Sequence, residues 1–254
     1  LVSKTEQAAL QQINKLLSKY KGTTMEAGLL QRKAELFQRM SKTERFFELS
    51  RDSETVVSLA PARVKSASSR RYLSQAVETY DSIQRRFPKF ENLDVVIFNN
   101  AFTRQQLDQQ KIAENLYRDL IQRFPGSELV PDAHLAVGEM LFERKDFSKA
   151  LAEFNKIKSY PQSRVYPYGL YKAGWTKYNL EDTSGGLREL EAVVAFGKKV
   201  EREGLDGRLD LRAEALNDMV LFYGDVGEPS KAYNYFRDQA GEENVGPYLL
   251  KLSG

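Results

Sequence analysis

A small residue four positions before an aromatic one recurs in this chain at a fixed interval. The pairs, which follow one another every 37 residues, are Ala76 with Tyr80, Ala113 with Tyr117, and Ala150 with Phe154. A proline comes after each pair, at Pro88, Pro125 and Pro161. Because proline cannot continue a helix, each unit is predicted to be a helix that packs, ends and turns. Such an interval is typical of helical repeat arrays, in which stacked units bury a continuous core.

Apolar residues recur at three and four positions along nearly the whole chain, and no alternating strand pattern is present, so we predict an all-α fold. One amphipathic helix is expected over residues 5–20, closed by Gly22, and a longer one from about Thr24 to Leu49. The predicted domains are N-terminal helices that flank or cap the array (1–50), a linker (51–68), repeats (69–241), and a C-terminal tail or the start of a further helix (242–254).

The repeat units resemble the tetratricopeptide repeat (TPR) family. The last unit places Tyr223, Gly227, Ala232 and Phe236 at the family's spacing, and another places Gly138, Phe147, Ala150, Phe154 and Pro161. Two units depart from the pattern, since Lys177 and Arg104 stand where an aromatic residue is usual. The resemblance covers about residues 70–241, and it implies a right-handed superhelical solenoid of antiparallel helix pairs.

Small and aromatic residues of the repeats are predicted to be structural, because small residues let helices approach closely and rings fill the space between neighbouring pairs. These positions are Ala76, Tyr80, Ala101, Ala113, Tyr117, Gly138, Ala150, Phe154, Gly174, Tyr223, Ala232 and Phe236.

A second set of residues is predicted to bind a partner. Tyr168, Tyr171, Trp175 and Tyr178 are spaced three, four and three apart, so their rings share one helical face. The resemblance implies that this face lines a concave groove for a peptide or partner helix, together with Phe98, Asn99, Phe102, Leu135 and Phe142. Alternatively, the rings pack against the next helix, against the N-terminal helices or against another copy.

Composition argues against catalysis, cofactors and metal binding. The chain has no cysteine and a single histidine, His134, so it cannot build the usual zinc site, and its carboxylates are scattered. We therefore expect no enzymatic activity, no cofactor and no metal.

The charge is unevenly distributed. Residues 1–90 carry 17 basic and 9 acidic side chains, whereas residues 91–254 carry 21 and 26. A solvated helix surface explains this pattern, and the alternative is a patch for an acidic partner or for lipid head groups. The net charge of +3 is too small to indicate nucleic acid as a partner.

No apolar run is long enough to span a bilayer, and a chain that starts at Leu1 is expected to have been trimmed. Two short sequence segments, Arg-Phe-Pro-Gly-Ser127 and Tyr-Pro-Gln-Ser163, look like segments found in bacterial cell-envelope members of the family. This resemblance implies a periplasmic scaffold, with the cytoplasm as the alternative location. Two functional hypotheses follow: a scaffold whose groove captures a partner, and a structural subunit whose groove is filled by its own helices or by another copy.

Overall fold

The computed structural model describes residues 4–46, 63–204 and 210–253. Within these ranges the chain is helical and contains no β-strand, which confirms the all-α prediction. The helices are α1 Lys4–Lys19, α2 Met25–Phe46, α3 Ala67–Arg86, α4 Leu93–Gln106, α5 Gln110–Arg123, α6 Val130–Glu143, α7 Phe147–Ile157, α8 Tyr166–Asn179, α9 Thr183–Glu203, α10 Arg212–Val226, α11 Ala232–Ala240 and α12 Val245–Leu252. Neighbouring helices pack in chain order from α1 to α5 and again from α7 to α10, and α11 packs on α12. The C-terminal segment, predicted as a tail or a further helix, forms α12.

The chain divides into two compact units, Leu1–Ala133 and His134–Gly254. This division does not coincide with the linker predicted at residues 51–68, of which residues 51–62 lie outside the described part of the chain. The end of the second predicted helix, residues 47–49, lies outside it as well.

Helices α2 and α3, which flank the predicted linker, pack against each other. Near one end, the Ser69 hydroxyl donates to the Ser41 carbonyl over 3.2 Å. At the other end, Arg86 Nη2 lies 2.5 Å from Glu26 Oε1. Because the end of α2 meets the start of α3 and the start of α2 meets the end of α3, the two helices run antiparallel. Helix α2 is therefore the packing partner of the helix that carries Ala76 and Tyr80.

One turn geometry joins α4 to α5, α6 to α7 and α8 to α9. Its central residue has a left-handed backbone, with φ of 65° at Asp108, 61° at Lys145 and 63° at Glu181. In the third turn the Glu181 N–H donates to the Tyr178 carbonyl (3.0 Å) and the Asp182 N–H to the Lys177 carbonyl (2.9 Å). This pair of bonds is a Schellman motif, which satisfies the carbonyl groups at the end of a helix. The other two turns repeat both bonds.

All twelve residues predicted to be structural are buried. The closest fit is at Gly138, where an added Cβ would lie 2.5 Å from Cε1 of the buried Phe154 ring. At Gly174, an added Cβ would lie 3.2 Å from the carbonyl oxygen of Gly186 in α9. These small residues therefore allow the close approach of α6 to Phe154 of α7 and of α8 to α9.

The two cations that replace aromatic residues in the repeat pattern form ion pairs between helices. Lys177 Nζ lies 2.7 Å from Glu189 Oε1, and Arg104 Nη2 lies 2.8 Å from Asp81 Oδ2. In each case the charged group pairs with a carboxylate on the adjacent helix.

The single histidine belongs to a buried polar pair. His134 Nδ1 lies 2.7 Å from Glu153 Oε2, and both side chains are buried. Burial by itself would raise the pKa of Glu153, but the hydrogen bond with His134 and the positive charge of Lys156 lower it to about 2. The pair thus joins α6 to α7 beside the contact between Gly138 and Phe154.

Candidate functional site

The four rings of α8 do not share one environment. Tyr168 is fully buried, at 0% exposure, and its hydroxyl donates to Glu139 Oε1 over 2.9 Å. Burial raises the pKa of Glu139, while Lys172, whose Nζ lies 3.5 Å from the same oxygen, opposes that rise. Tyr168 was expected to line a partner-binding groove, but the structure places it inside the second unit because α6 supplies a buried acceptor for its hydroxyl.

The other three rings, Tyr171, Trp175 and Tyr178, are half-buried and face α10. Tyr171 donates its hydroxyl hydrogen to Asp218 Oδ2 over 2.6 Å, and Trp175 Nε1 donates to the same oxygen over 2.8 Å. One carboxylate oxygen of α10 therefore fixes the orientation of two aromatic side chains of α8.

Phe222, one turn after Asp218, completes the ring packing. Its ring lies 5.2 Å from that of Trp175 in an edge-to-face arrangement and 4.6 Å from that of Tyr178. Asp225 of α10 lies near enough to Tyr178 to raise the pKa of its hydroxyl group. We call Tyr171, Trp175, Tyr178, Asp218 and Asp225 the α8/α10 surface.

The α8/α10 surface is acidic. Burial raises the pKa of Tyr171, and the hydrogen bond to Asp218 and the charge of Glu214 raise it further, so the phenol stays neutral. The pKa of Tyr178 is also raised, by burial and by Asp225. Beside these groups, Leu221 exposes 47% of its surface. The arrangement combines aromatic rings, carboxylates and an exposed apolar side chain.

The residues predicted on α4 lie in the first unit and are partly covered by α2. Phe98 packs edge-to-face on Tyr117, with ring centroids 5.3 Å apart. Asn99 and Phe102 line a cavity of about 310 Å³ to which α2 also contributes. Gln38 of α2 reaches across, and its Nε2 donates to the Asn99 carbonyl (3.4 Å) and to the Thr103 hydroxyl (2.6 Å).

The predicted residues of α6 are also engaged. Leu135 is buried, so its side chain is not available to a partner. Phe142 is half-buried, packs edge-to-face on Phe147 and lies beneath the Lys172 ammonium, 5.3 Å from its ring centroid.

Sequence reasoning missed the α10 half of the site. Asp218, Phe222 and Asp225 are spaced four and three apart, so they share one helical face as the four α8 rings do. That spacing is a signal in the sequence itself, whereas Tyr223, the residue of α10 that fits the repeat pattern, is buried in the core.

Within residues 4–46, 63–204 and 210–253, no three His, Asp or Glu side chains form a group that could hold a metal ion. In the same ranges, no helix combines the length and the apolar character needed to cross a bilayer. No protein-family model matches the sequence, and no curated protein matches it.

Proposed function

We propose that this protein is a non-enzymatic scaffold that binds a segment of a partner protein within a larger assembly. The observation that carries the proposal is the α8/α10 surface, where three half-buried rings lie among carboxylates and two of them, Tyr171 and Trp175, are held by hydrogen bonds to Asp218. Rings held in place in this way lose little side-chain entropy on binding, and aromatic residues commonly dominate binding energies.

The scaffold is proposed to be a TPR-like solenoid of antiparallel helix pairs with a right-handed superhelical course. Two features support this architecture. The Schellman turns at Asp108, Lys145 and Glu181 recur at intervals of 37 and 36 residues. The small and aromatic residues that follow these turns are buried at matching positions in α5 and α7. The cell envelope of a bacterium, with the periplasm as the compartment, is the proposed location on the basis of the sequence resemblance.

The occupant proposed for the α8/α10 surface is a cationic segment with apolar side chains. Asp218, Asp225 and Glu214 give the surface negative charge, and ring faces attract Lys and Arg by cation–π interaction. The exposed Leu221 offers an apolar contact beside them.

A second candidate, the structural subunit with a self-filled groove, is favoured by a specific observation in the first unit. There, Gln38 of α2 bonds to Asn99 and Thr103 of α4, so the protein's own helix occupies part of the predicted binding face. This candidate predicts that the α4 face binds nothing further.

The sole tryptophan, Trp175, lies on the α8/α10 surface and provides the test. A short peptide of Lys, Leu and Ser is titrated while tryptophan emission is recorded, and the matched peptide has Glu in place of each Lys. We expect saturable binding of the Lys peptide only, weakened at least tenfold by Asp225→Lys with Glu214→Lys. Lys111→Glu, an exposed change in α5, serves as a control and should leave binding unchanged.

Equal binding of the two peptides, or binding that Asp225→Lys with Glu214→Lys leaves intact, would contradict the proposed occupant. Emission that responds to neither peptide would contradict the proposed role of the surface and favour the structural candidate.

A further inference from the structure

The first unit contains an apolar groove that the proposed function does not use. It has a volume of about 800 Å³ and lies where the start of α2 meets the turn between α3 and α4. Its apolar lining is formed by Met25, Leu29, Phe87, Pro88 and Phe90. Met25 exposes 53% of its surface, and an added Cβ at Gly28 would meet no atom within 4 Å. The groove is thus open and large enough to take apolar side chains.

Basic residues line the groove beside the apolar ones. Arg86 is held there by Glu26 and lies over the Phe87 ring, 4.9 Å from its centroid. Arg32 and Lys89 also line the groove, and neither has an ionic or hydrogen-bonded partner among the described side chains. Among the described lining residues Glu91 is the one carboxylate, and because Arg86 is already paired with Glu26, Arg32 and Lys89 are the cations left for an occupant. An occupant that combines carboxylates with apolar side chains would complement the groove.

The C-terminal segment of the chain has this composition. Residues 241–253 carry two carboxylates, one basic side chain, Lys251, and several apolar side chains. The two carboxylates, Glu242 and Glu243, lie just before α12. Glu242 accepts a hydrogen bond from the Tyr233 hydroxyl and lies 4.0 Å from Arg237, whereas Glu243 is exposed with no ionic partner in the part of the chain that the structure describes.

Helix α12 also presents an apolar side chain to solvent. One face of α12 packs on α10 and α11, where Tyr248 stacks on Phe236 with ring centroids 5.9 Å apart. Leu250, on the other face, exposes 75% of its surface. Leu250 and Met25 are the two most exposed large apolar side chains of the described residues, so one lies in the segment and the other in the groove.

We infer that the groove of one molecule binds the segment 241–253 of a second copy. Glu242 and Glu243 would lie against Arg32 and Lys89, and Leu250 would enter the apolar part of the groove. Because the two contacting surfaces differ, the contact is heterologous and joins molecules head to tail, giving rings or open chains. Apolar burial supplies attraction, and the charges select the orientation and make the association sensitive to salt.

Sedimentation velocity of the whole protein over a range of concentrations tests the inference. The wild type is expected to show a weight-average mass that rises with concentration and falls as salt is added. Arg32→Glu with Lys89→Glu, and separately Glu242→Lys with Glu243→Lys, are each expected to weaken association at least tenfold. Mixing the two variants restores it, because the acidic groove of one then meets the basic segment of the other.

The control variant, Arg188→Glu with Lys111→Glu, lowers the net charge by the same amount as the groove variant but at exposed positions away from the groove. It should associate like the wild type. Circular dichroism of each variant verifies that it is folded. A monomer at every concentration in low salt would overturn the inference, as would association that the groove variant leaves unchanged, or a mixture that stays monomeric.

Discussion

The contact between Gly138 and Phe154 allows the packing of α6 on α7 to be tested quantitatively with two alanine substitutions. In Gly138→Ala the new methyl carbon would lie 2.5 Å and 2.8 Å from two atoms of the Phe154 ring. That ring is fully buried. In Gly28→Ala, also within a helix, the new methyl group meets nothing within 4 Å.

Both changes replace glycine by alanine in a helix, which by itself stabilises the folded state by about 1 kcal/mol. Gly138→Ala adds an overpacking cost of about 1–3 kcal/mol. Since the gain in helix propensity is common to both variants, the difference between their free energies of unfolding isolates the cost of overpacking. Gly28→Ala should be more stable than the wild type, and Gly138→Ala should be less stable than Gly28→Ala by about 1–3 kcal/mol.

Thermal unfolding followed by circular dichroism measures this difference, which corresponds to about 2–4 °C in Tm for each kcal/mol in a chain of this size. Adding Phe154→Leu to Gly138→Ala should recover part of the loss, because the smaller side chain leaves room for the methyl group. The packing described for α6 and α7 is refuted if Gly138→Ala raises Tm as much as Gly28→Ala does.

Three further predictions concern the buried pair, the α8/α10 surface and the turns. The pKa of Glu153 is lowered from an ordinary 4.5 to about 2, so its contribution to stability is present above pH 4.5 and is lost as the pH falls towards 2. Glu153→Gln should therefore show a smaller fall in Tm than the wild type between pH 5 and about 2, and equal slopes would contradict the assigned pair. Asp218→Ala removes the shared acceptor of Tyr171 and Trp175, and we expect red-shifted tryptophan emission and a loss of about 1–3 kcal/mol in urea unfolding; an unshifted spectrum would count against the contact. Lys145→Gly relieves a left-handed backbone and should raise stability by up to about 1 kcal/mol in the same urea assay, whereas a loss would argue against that turn conformation.

The burial of the repeat residues was predictable from the sequence because it depends on residues that are only a few positions apart in the chain. Ala150 and Phe154 are four residues apart, so the geometry of one helix places them on the same face and any packed neighbour buries both. The environments of Tyr168 and Tyr171 were not predictable in this way. Their hydroxyl groups are satisfied by Glu139, 29 residues earlier, and by Asp218, 47 residues later. Which ring is buried thus depends on polar partners supplied by other helices.

The departures from the repeat pattern illustrate the same limit. At Lys177 the sequence shows only that an expected ring is missing, whereas the structure shows an ammonium group bonded to Glu189 on α9. A charged side chain can occupy a core-facing position when its apolar stem packs and its charged end reaches a partner. Recognising that substitution requires knowledge of the neighbouring helix.

The left-handed turns at Asp108, Lys145 and Glu181 have a consequence for how this chain can be altered. The three turns share one backbone conformation and one hydrogen-bonding pattern, and they recur after 37 and then 36 residues. Turns that match in this way are suitable points for recombination, since the segment between one turn and the next begins and ends with equivalent backbone geometry. Such a stretch could be duplicated, deleted or exchanged as a cassette, and the chain would lengthen or shorten by whole hairpins while each remaining helix kept its own ends.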